Sequence, residues 1–124
     1  MRARRVLGAL ALAGALSLAG AQGAAAGADG VTEFEIYTVN GVKTLTCAPD
    51  GGTHPHAKAA CAEIDAARGN IAAVPRLPGY GCLDEWDPVL IGVTGTWRGQ
   101  EVLFSSFESN KGCAAIRHGH IFWY

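Results

Sequence analysis

Four cysteines constrain the fold of this 124-residue chain more than any other feature of its sequence. An even number of cysteines in a small chain that leaves the cytoplasm is typical of a disulfide framework. Four cysteines allow three connectivities, and pairing nearest neighbours closes the shortest loops. The spacing therefore favours Cys47–Cys61 and Cys82–Cys113. Each disulfide should stabilise the fold by about 3–4 kcal/mol, because it restricts the unfolded chain. Zinc is the competing interpretation, but the sequence contains no CxxC pair, so we expect neither a metal nor another cofactor.

The amino-terminal end has the layout of a secretory signal peptide. A basic start, MRARR, precedes an apolar run and then a region of small residues, AQGAAAGADG. This order predicts cleavage within residues 24–28, so that 1–28 is the signal peptide and 29–124 is one mature domain. The apolar run is too short, and too rich in alanine and glycine, to predict a membrane span. We therefore expect a secreted, extracellular protein with no membrane partner.

The charge balance argues against nucleic-acid binding. The chain contains 10 Lys and Arg residues against 11 Asp and Glu residues. Arg2, Arg4 and Arg5 would be lost with the signal peptide, which leaves a more acidic mature domain. Because a nucleic-acid-binding surface needs a basic face, we expect no nucleic-acid partner.

Alternation of polar and apolar residues predicts an antiparallel sheet. A first hairpin is predicted from strands at 31–39 and 42–48 around an Asn40-Gly41 turn. A second hairpin is predicted from strands at 87–97 and 101–109 around Arg98-Gly99. The last five residues, HIFWY, predict one more strand, which gives a sheet of about five.

One substantial helix is predicted between the two hairpins. Residues 53–69 carry an apolar stripe at helical spacing. Thr53 or His54 is expected to cap this helix, with Pro55 near its first position and Gly69 at its end. A connection at 70–81 and a helical turn within 114–119 complete the pattern. The predicted fold class is therefore α+β.

The four histidines form two His-x-His pairs, His54/His56 and His118/His120. Alternating histidines share a face when they lie on a strand, and there they can bind a metal. The first pair, however, brackets Pro55 at a helix start, where His54 is better placed as a cap. The sequence therefore favours ordinary structural or surface histidines over a metal site.

The segment GCLDEWDP, residues 81–88, is the most unusual stretch of the mature chain, because it places three carboxylates around a tryptophan. Consecutive loop residues point in different directions, so these acids are not expected to form a catalytic pair. No nucleophile motif such as GxSxG lies near them, and the spacing lacks the alternating ligands of a calcium loop. We therefore do not expect an enzyme.

The remaining interpretation is that this segment is an exposed loop presented to a binding partner. A loop anchored by Cys82 and ended by Pro88 would be rigid and exposed, and it would lose little entropy on binding. A protease that accepts an extended segment as an added strand is the class of partner that suits such a loop.

The run CAPDGGTHPHAKAACAEI, residues 47–64, resembles the signature of the Streptomyces subtilisin inhibitor family. Ile64 replaces the leucine that the family usually carries. The resemblance continues through TLTCAP, the run DPVLIGVTGTWRG and the SN…C segment near the carboxyl end, so it covers essentially the whole mature chain. The signature positions that are present are Cys47, Pro49, Gly52, His54, Pro55, Ala60 and Cys61.

The resemblance implies a secreted serine-protease inhibitor with a five-stranded antiparallel sheet packed with two helices, the two disulfides favoured above, and a homodimer formed through the sheet. It implies a reactive bond two residues after the third cysteine, at Asp84–Glu85. Asn110, beside Cys113, is the expected brace under the loop. The expected loop contacts with a protease are Gly81, Cys82, Leu83, Trp86 and Asp87.

Asp84 departs from the family pattern, in which a Met, Lys, Arg or similar long residue commonly precedes the reactive bond. Burying an unpaired carboxylate in the largely apolar primary pocket of subtilisin is unfavourable. Gly81, four residues before the bond, also offers nothing to a second apolar pocket. Three hypotheses follow: an inhibitor of acid-preferring serine proteases, a subtilisin inhibitor of weakened affinity, and a non-inhibitory secreted binding module on the same scaffold.

Overall fold

The computed structural model describes residues 30–124, and the predicted signal peptide at 1–28 lies outside the described residues. Within this part of the chain, no helix is long and apolar enough to cross a bilayer. The elements, in chain order, are β1 (Thr32–Thr38), β2 (Gly41–Cys47), α1 (Ala57–Ala66), a 3₁₀ turn (Ile71–Ala73), β3 (Val89–Trp97), β4 (Gln100–Glu108) and α2 (Lys111–Ile116).

The strands form one antiparallel sheet in the order β2-β1-β3-β4. Both predicted hairpins are present. The second turns at Arg98 and Gly99, whose φ angles of 48° and 80° are both positive, as the tight hairpin turn requires. The first hairpin turns one residue earlier than predicted, because Thr38 pairs with Gly41 and leaves Val39 and Asn40 as the loop.

The predicted fifth strand is wrong, because the sheet has four strands. The carboxyl-terminal segment folds as successive turns instead. Its backbone donors are used within the segment, since Trp123 N donates to the oxygen of His120 and Tyr124 N to the oxygen of Phe122. Ile121 and Phe122 are both buried, whereas consecutive strand residues would face opposite sides of a sheet. This segment therefore fills the core rather than extending the ladder.

The core lies between one face of the sheet and the helices. Alternate strand residues point into it, in the two-residue period that the sequence predicts. On α1, Ala60, Cys61 and Ile64 are buried against the sheet, which agrees with the predicted stripe. The large apolar side chains buried on the strands are Phe34, Ile36, Leu45, Ile91 and Val93.

The start of α1 differs from the prediction. The helix begins at Ala57, its cap position is His56, and no side chain caps it. Thr53 Oγ1 instead accepts a hydrogen bond from Thr44 N on β2. His54 lies before the helix, where its Nδ1 accepts from His56 N at 2.9 Å. Because a residue before proline is driven towards extended backbone, the Pro55 ring keeps His54 out of the helix.

α1 ends at Ala66, before the predicted end at Gly69. Arg68 and Gly69, with φ of 54° and 80°, turn the chain away from the helix, and the Gly69 N–H donates to the oxygen of Ile64. Both disulfides agree with the sequence. Cys47–Cys61 joins the end of β2 to the buried face of α1, with 5.7 Å between the Cα atoms. Cys82–Cys113 joins the connection before β3 to α2 across 5.1 Å. These are the two pairings that the spacing favours.

Two buried histidines make the stability of this fold depend on pH. Burial lowers the pKa of His54 and of His118 below the ordinary value of 6.5, despite a hydrogen bond between His54 and the Ile121 oxygen and the charge of Glu108 near His118. Both rings therefore bind fewer protons in the folded state than in the unfolded state just below pH 6.5.

We predict that the contribution of these two histidines to the free energy of unfolding is fully present above pH 6.5. This contribution is lost as the pH falls from 6.5 towards the lowered pKa values. Urea unfolding at intervals between pH 7.5 and 5.5 measures this slope. His54→Gln keeps a donor for the Ile121 oxygen but does not titrate, so the slope should become shallower. An unchanged slope in the variant would contradict the role of His54.

Candidate functional site

The connection before β3 is an exposed segment without regular secondary structure. Residues 80–88 are all exposed, and none belongs to a helix or strand. Leu83 and Trp86 are 79% and 81% exposed although both are large and apolar. Neighbouring exposed apolar side chains on a small protein indicate a binding surface. We call residues 80–88 the display loop.

Asn110 holds the display loop from below. This residue is buried and is the cap of α2, where its Oδ1 accepts a hydrogen bond from Cys113 N at 2.9 Å. Its Nδ2 donates to the oxygens of Leu83 and Glu85, both at 2.9 Å. An amide nitrogen carries two hydrogens, so each hydrogen is used by one loop carbonyl. One side chain therefore connects the helix cap to the carbonyls on both sides of Asp84.

A third backbone contact continues this pattern. Asp87 N donates to the oxygen of Ser109 at 2.8 Å, so the loop is fixed at positions 83, 85 and 87. The Cys82–Cys113 disulfide adds a covalent link next to these hydrogen bonds. Anchoring of alternate residues keeps the backbone extended and leaves the side chains free to contact a partner.

The acidic side chains of the display loop are not used within the described residues. Asp84, Glu85 and Asp87 make no side-chain hydrogen bond or ion pair there. Two arginines lie near a cavity of about 480 Å³ that Leu83 and Asp84 also line. Both contact other groups, because Arg76 donates to the oxygen of Tyr80 and Arg117 lies 3.6 Å from Glu108. The loop acids therefore remain available to a partner.

One group of three possible metal ligands lies close together within residues 30–124, formed by Cys47, Asp50 and Cys61. The disulfide between the two cysteines removes both thiolates, so this group does not suit a metal.

The structure brings the residues that the sequence singled out into one place. Asn110 lies directly under the loop, and the acids and Trp86 project from it. Gly81 is exposed and has no close neighbour. The sequence does not predict the role of Ser109. Its backbone oxygen accepts from Asp87 N, and a backbone contact does not depend on the residue type.

The fold and this loop define a small disulfide-linked scaffold that presents a fixed, extended segment. A family model described as subtilisin inhibitor-like matches residues 13–110, which is most of the chain. The chain therefore belongs to the subtilisin inhibitor-like family. This finding agrees with the resemblance of the cysteine-containing signature.

Individual relatives agree with the family match. The chain is 44% identical over 82 residues to a subtilisin inhibitor of Streptomyces violaceus, covering 62% of this chain and 54% of that protein. It is 38% identical over 80 residues to subtilisin inhibitor-like protein 5 of Streptomyces fradiae, covering 64% of this chain and 75% of the relative. The chain thus spans about half the length of the first of these proteins.

A solved structure is also similar in fold. Streptomyces caespitosus sermetstatin, crystallised in complex with Bacillus licheniformis subtilisin, has a TM-score of 0.56 and is 25% identical in sequence. The superposition covers 76% of this chain and 97% of sermetstatin. The four-stranded fold described here is consistent with this family.

The contacts of Asn110 predict the effect of a single substitution. Asn110→Asp keeps the oxygen that accepts from Cys113 N, so the cap of α2 should survive. The second oxygen replaces the donor to Leu83 and Glu85 and leaves two carbonyls facing a carboxylate. We expect the amide of Asp87 to exchange with solvent at least about tenfold faster, because the loop opens more often.

Hydrogen-exchange NMR on the wild type and the variant measures this effect. The amide of Cys113 is the internal control, because its partner is retained, and its exchange should change much less. Equal exchange of the Asp87 amide in both proteins would show that Asn110 does not hold the loop.

Proposed function

We propose that the protein is a secreted inhibitor of serine endopeptidases and that residues 81–87 enter the protease as a substrate-like segment. The proposed reactive bond is Asp84–Glu85. The observation that carries the proposal is the pair of hydrogen bonds from Asn110 to the carbonyls of Leu83 and Glu85, on either side of the Asp84 carbonyl. Family membership supports it, and so does the sermetstatin–subtilisin complex.

The anchors on both sides of the bond explain how a substrate-like segment can inhibit. The catalytic serine oxygen of the protease attacks the Asp84 carbonyl carbon, and the amine of Glu85 is the leaving group. The new ends stay in place, because Cys82 is disulfide-bonded upstream and the Glu85 oxygen and Asp87 N–H are hydrogen-bonded downstream. The amine therefore remains close to the acyl carbon, and re-formation of the peptide bond competes with hydrolysis.

Asp84 determines which protease is the best partner. Its carboxylate is free within the described residues and would occupy the primary pocket of the protease. An apolar pocket disfavours this carboxylate, because its loss of water is not compensated. A cationic pocket would pair with it, and Glu85 and Asp87 would complement a basic cleft. We therefore infer that the target is a serine protease that prefers an acidic residue before the cleaved bond.

Secretion is part of the proposal. Two disulfides form and persist in oxidising surroundings, and Cys82–Cys113 anchors the display loop itself. A protease that meets this loop would act in the same extracellular compartment.

Exchanging the side chain at the reactive bond should exchange the target. We predict that wild type inhibits a glutamate-specific serine protease at micromolar concentration or below and inhibits subtilisin weakly. Asp84→Met should inhibit subtilisin at least about 100-fold more tightly, because it should recover at least about 2.8 kcal/mol of desolvation energy and about 1.4 kcal/mol is one factor of ten. It should also lose inhibition of the acid-preferring enzyme. Inhibition constants from steady-state assays measure both changes.

Asp87→Met is the matched control, because it removes the same charge while the backbone N–H of Asp87 keeps its bond to Ser109. Its inhibition constants should change by less than about tenfold. If Asp84→Met left the constants for both proteases unchanged, Asp84 would not precede the reactive bond. If wild type inhibited no serine protease, the alternative of a non-inhibitory binding module would replace this proposal.

We further propose that the protein forms a homodimer through the outer face of its sheet. This face carries large apolar side chains that the fold leaves in solvent, including Leu103 at 70% and Phe107 at 76% exposure. Leu90 and Phe107 lie directly opposite each other on β3 and β4, so they form a continuous patch. Covering such a patch with a second copy removes apolar surface from water.

Phe107→Glu tests the dimer, because it places a charge in the centre of this patch. Sedimentation at tens of micromolar should give twice the chain mass for wild type and the single chain mass for the variant. Ala73→Glu, on the exposed 3₁₀ turn, adds the same charge away from the sheet and should remain dimeric. A monomeric wild type would contradict the dimer without affecting the proposed inhibition.

A further inference from the structure

The structure divides each His-x-His pair into one buried histidine and one histidine close to the surface. His54 is buried, and both of its ring nitrogens are hydrogen-bonded inside the fold. His118 is buried against the rings of two phenylalanines. The two remaining histidines, His56 and His120, meet each other, with 5.7 Å between their ring centroids and 53° between their planes. The pairing in space is therefore different from the pairing in sequence.

A carboxylate fixes the orientation of the His120 ring. Its Nδ1 lies 2.5 Å from Glu63 Oε1 on α1, and the backbone N–H of His120 donates to Glu63 Oε2 at 2.7 Å. A Cβ on Gly119 would overlap the Glu63 carboxylate, so the glycine allows this close approach. With Nδ1 bonded to the carboxylate, Nε2 is the ring nitrogen that is left for a ligand. Histidines that bind metals are commonly oriented in this way.

His56 supplies the second imidazole. It is the cap residue of α1, it is partly buried, and no hydrogen bond to its ring nitrogens occurs within residues 30–124. Its ring and that of His120 both line a surface cavity of about 510 Å³. Lys58 also lines this cavity and opposes a cation there, whereas the carboxylate of Glu63 offsets that charge.

We propose that His56 and His120 bind one divalent transition-metal ion such as Zn²⁺, with Glu63 as the residue that positions His120. Imidazole nitrogen is a preferred ligand of zinc, copper and nickel. Two imidazoles on one tetrahedral zinc, with Zn–N distances of about 2.0–2.1 Å, have ring centres about 5 Å apart. The observed 5.7 Å between the ring centroids is close to this value. Water would occupy the other positions.

The bound ion would join two parts of the fold that are distant in sequence. His56 begins α1, and His120 belongs to the carboxyl-terminal turns that fill the core. An ion that binds only the folded chain stabilises it by mass action. Zinc should therefore raise the midpoint of thermal unfolding.

Calorimetric titration of the tag-free protein with zinc chloride at pH 7.5 tests the site. One ion per chain is expected. His56→Ala and His120→Ala should each weaken binding at least about 100-fold, and Glu63→Gln should weaken it about 10- to 100-fold. Lys58→Ala is the control in the same cavity and should bind zinc as well as wild type or better. Urea unfolding without zinc identifies any variant whose weaker binding reflects lost folding.

Ring-nitrogen NMR of the wild type gives a readout that does not depend on any variant. Zinc should shift the resonances of His56 and His120 and leave those of the buried His54 and His118 in place. Three results would overturn the proposal: no zinc uptake at millimolar concentration, zinc uptake by both alanine variants with the affinity of the wild type, or resonance shifts at the buried histidines alone.

Discussion

The display loop depends on the hydrogen bonds of the Asn110 side-chain amide. This amide accepts from Cys113 N, which caps α2, and it donates to the carbonyls of Leu83 and Glu85. A single buried hydrogen bond contributes about 1 kcal/mol, and leaving a buried amide without its partners would be costly. The folded protein satisfies this amide with all three bonds, so the loop is ordered in the folded state. Its conformational entropy is lost on folding rather than on binding, which favours a tight complex.

The remainder of the scaffold lets this loop stay fully exposed. A domain of this size buries only a limited core. The two disulfides add stability, because they restrict the unfolded chain. Cys47–Cys61 fixes α1 on the sheet, and Cys82–Cys113 fixes the loop on α2. Phe122 and Ile121 close the core without a fifth strand. Leu83, Asp84 and Trp86 are exposed and lie outside the core, so their side chains are free to contact a partner.

The sequence predicts the elements better than their ends. Alternation at β1–β4, the Arg98-Gly99 turn and the nearest-neighbour disulfides are confirmed, because each follows from local periodicity or loop length. The carboxyl-terminal residues were wrongly predicted as a strand, since an apolar run does not reveal whether its backbone finds a sheet edge or turns on itself. The contact between His56 and His120 also could not be predicted from local sequence, because it is produced by the packing of α1 against those turns. Asn110 was predicted through the family resemblance, and its two loop bonds required coordinates.

We propose that Asp84–Glu85 is presented to a protease as a substrate whose two ends stay in place after cleavage. Incubation with a catalytic amount of a glutamate-specific serine protease, followed by reduction and mass spectrometry, tests this claim directly. We expect slow cleavage at that single bond, a constant final mixture of intact and cleaved chains, and the same mixture when purified cleaved protein is the starting material. Complete and rapid hydrolysis, or cleavage at another bond first, would contradict it.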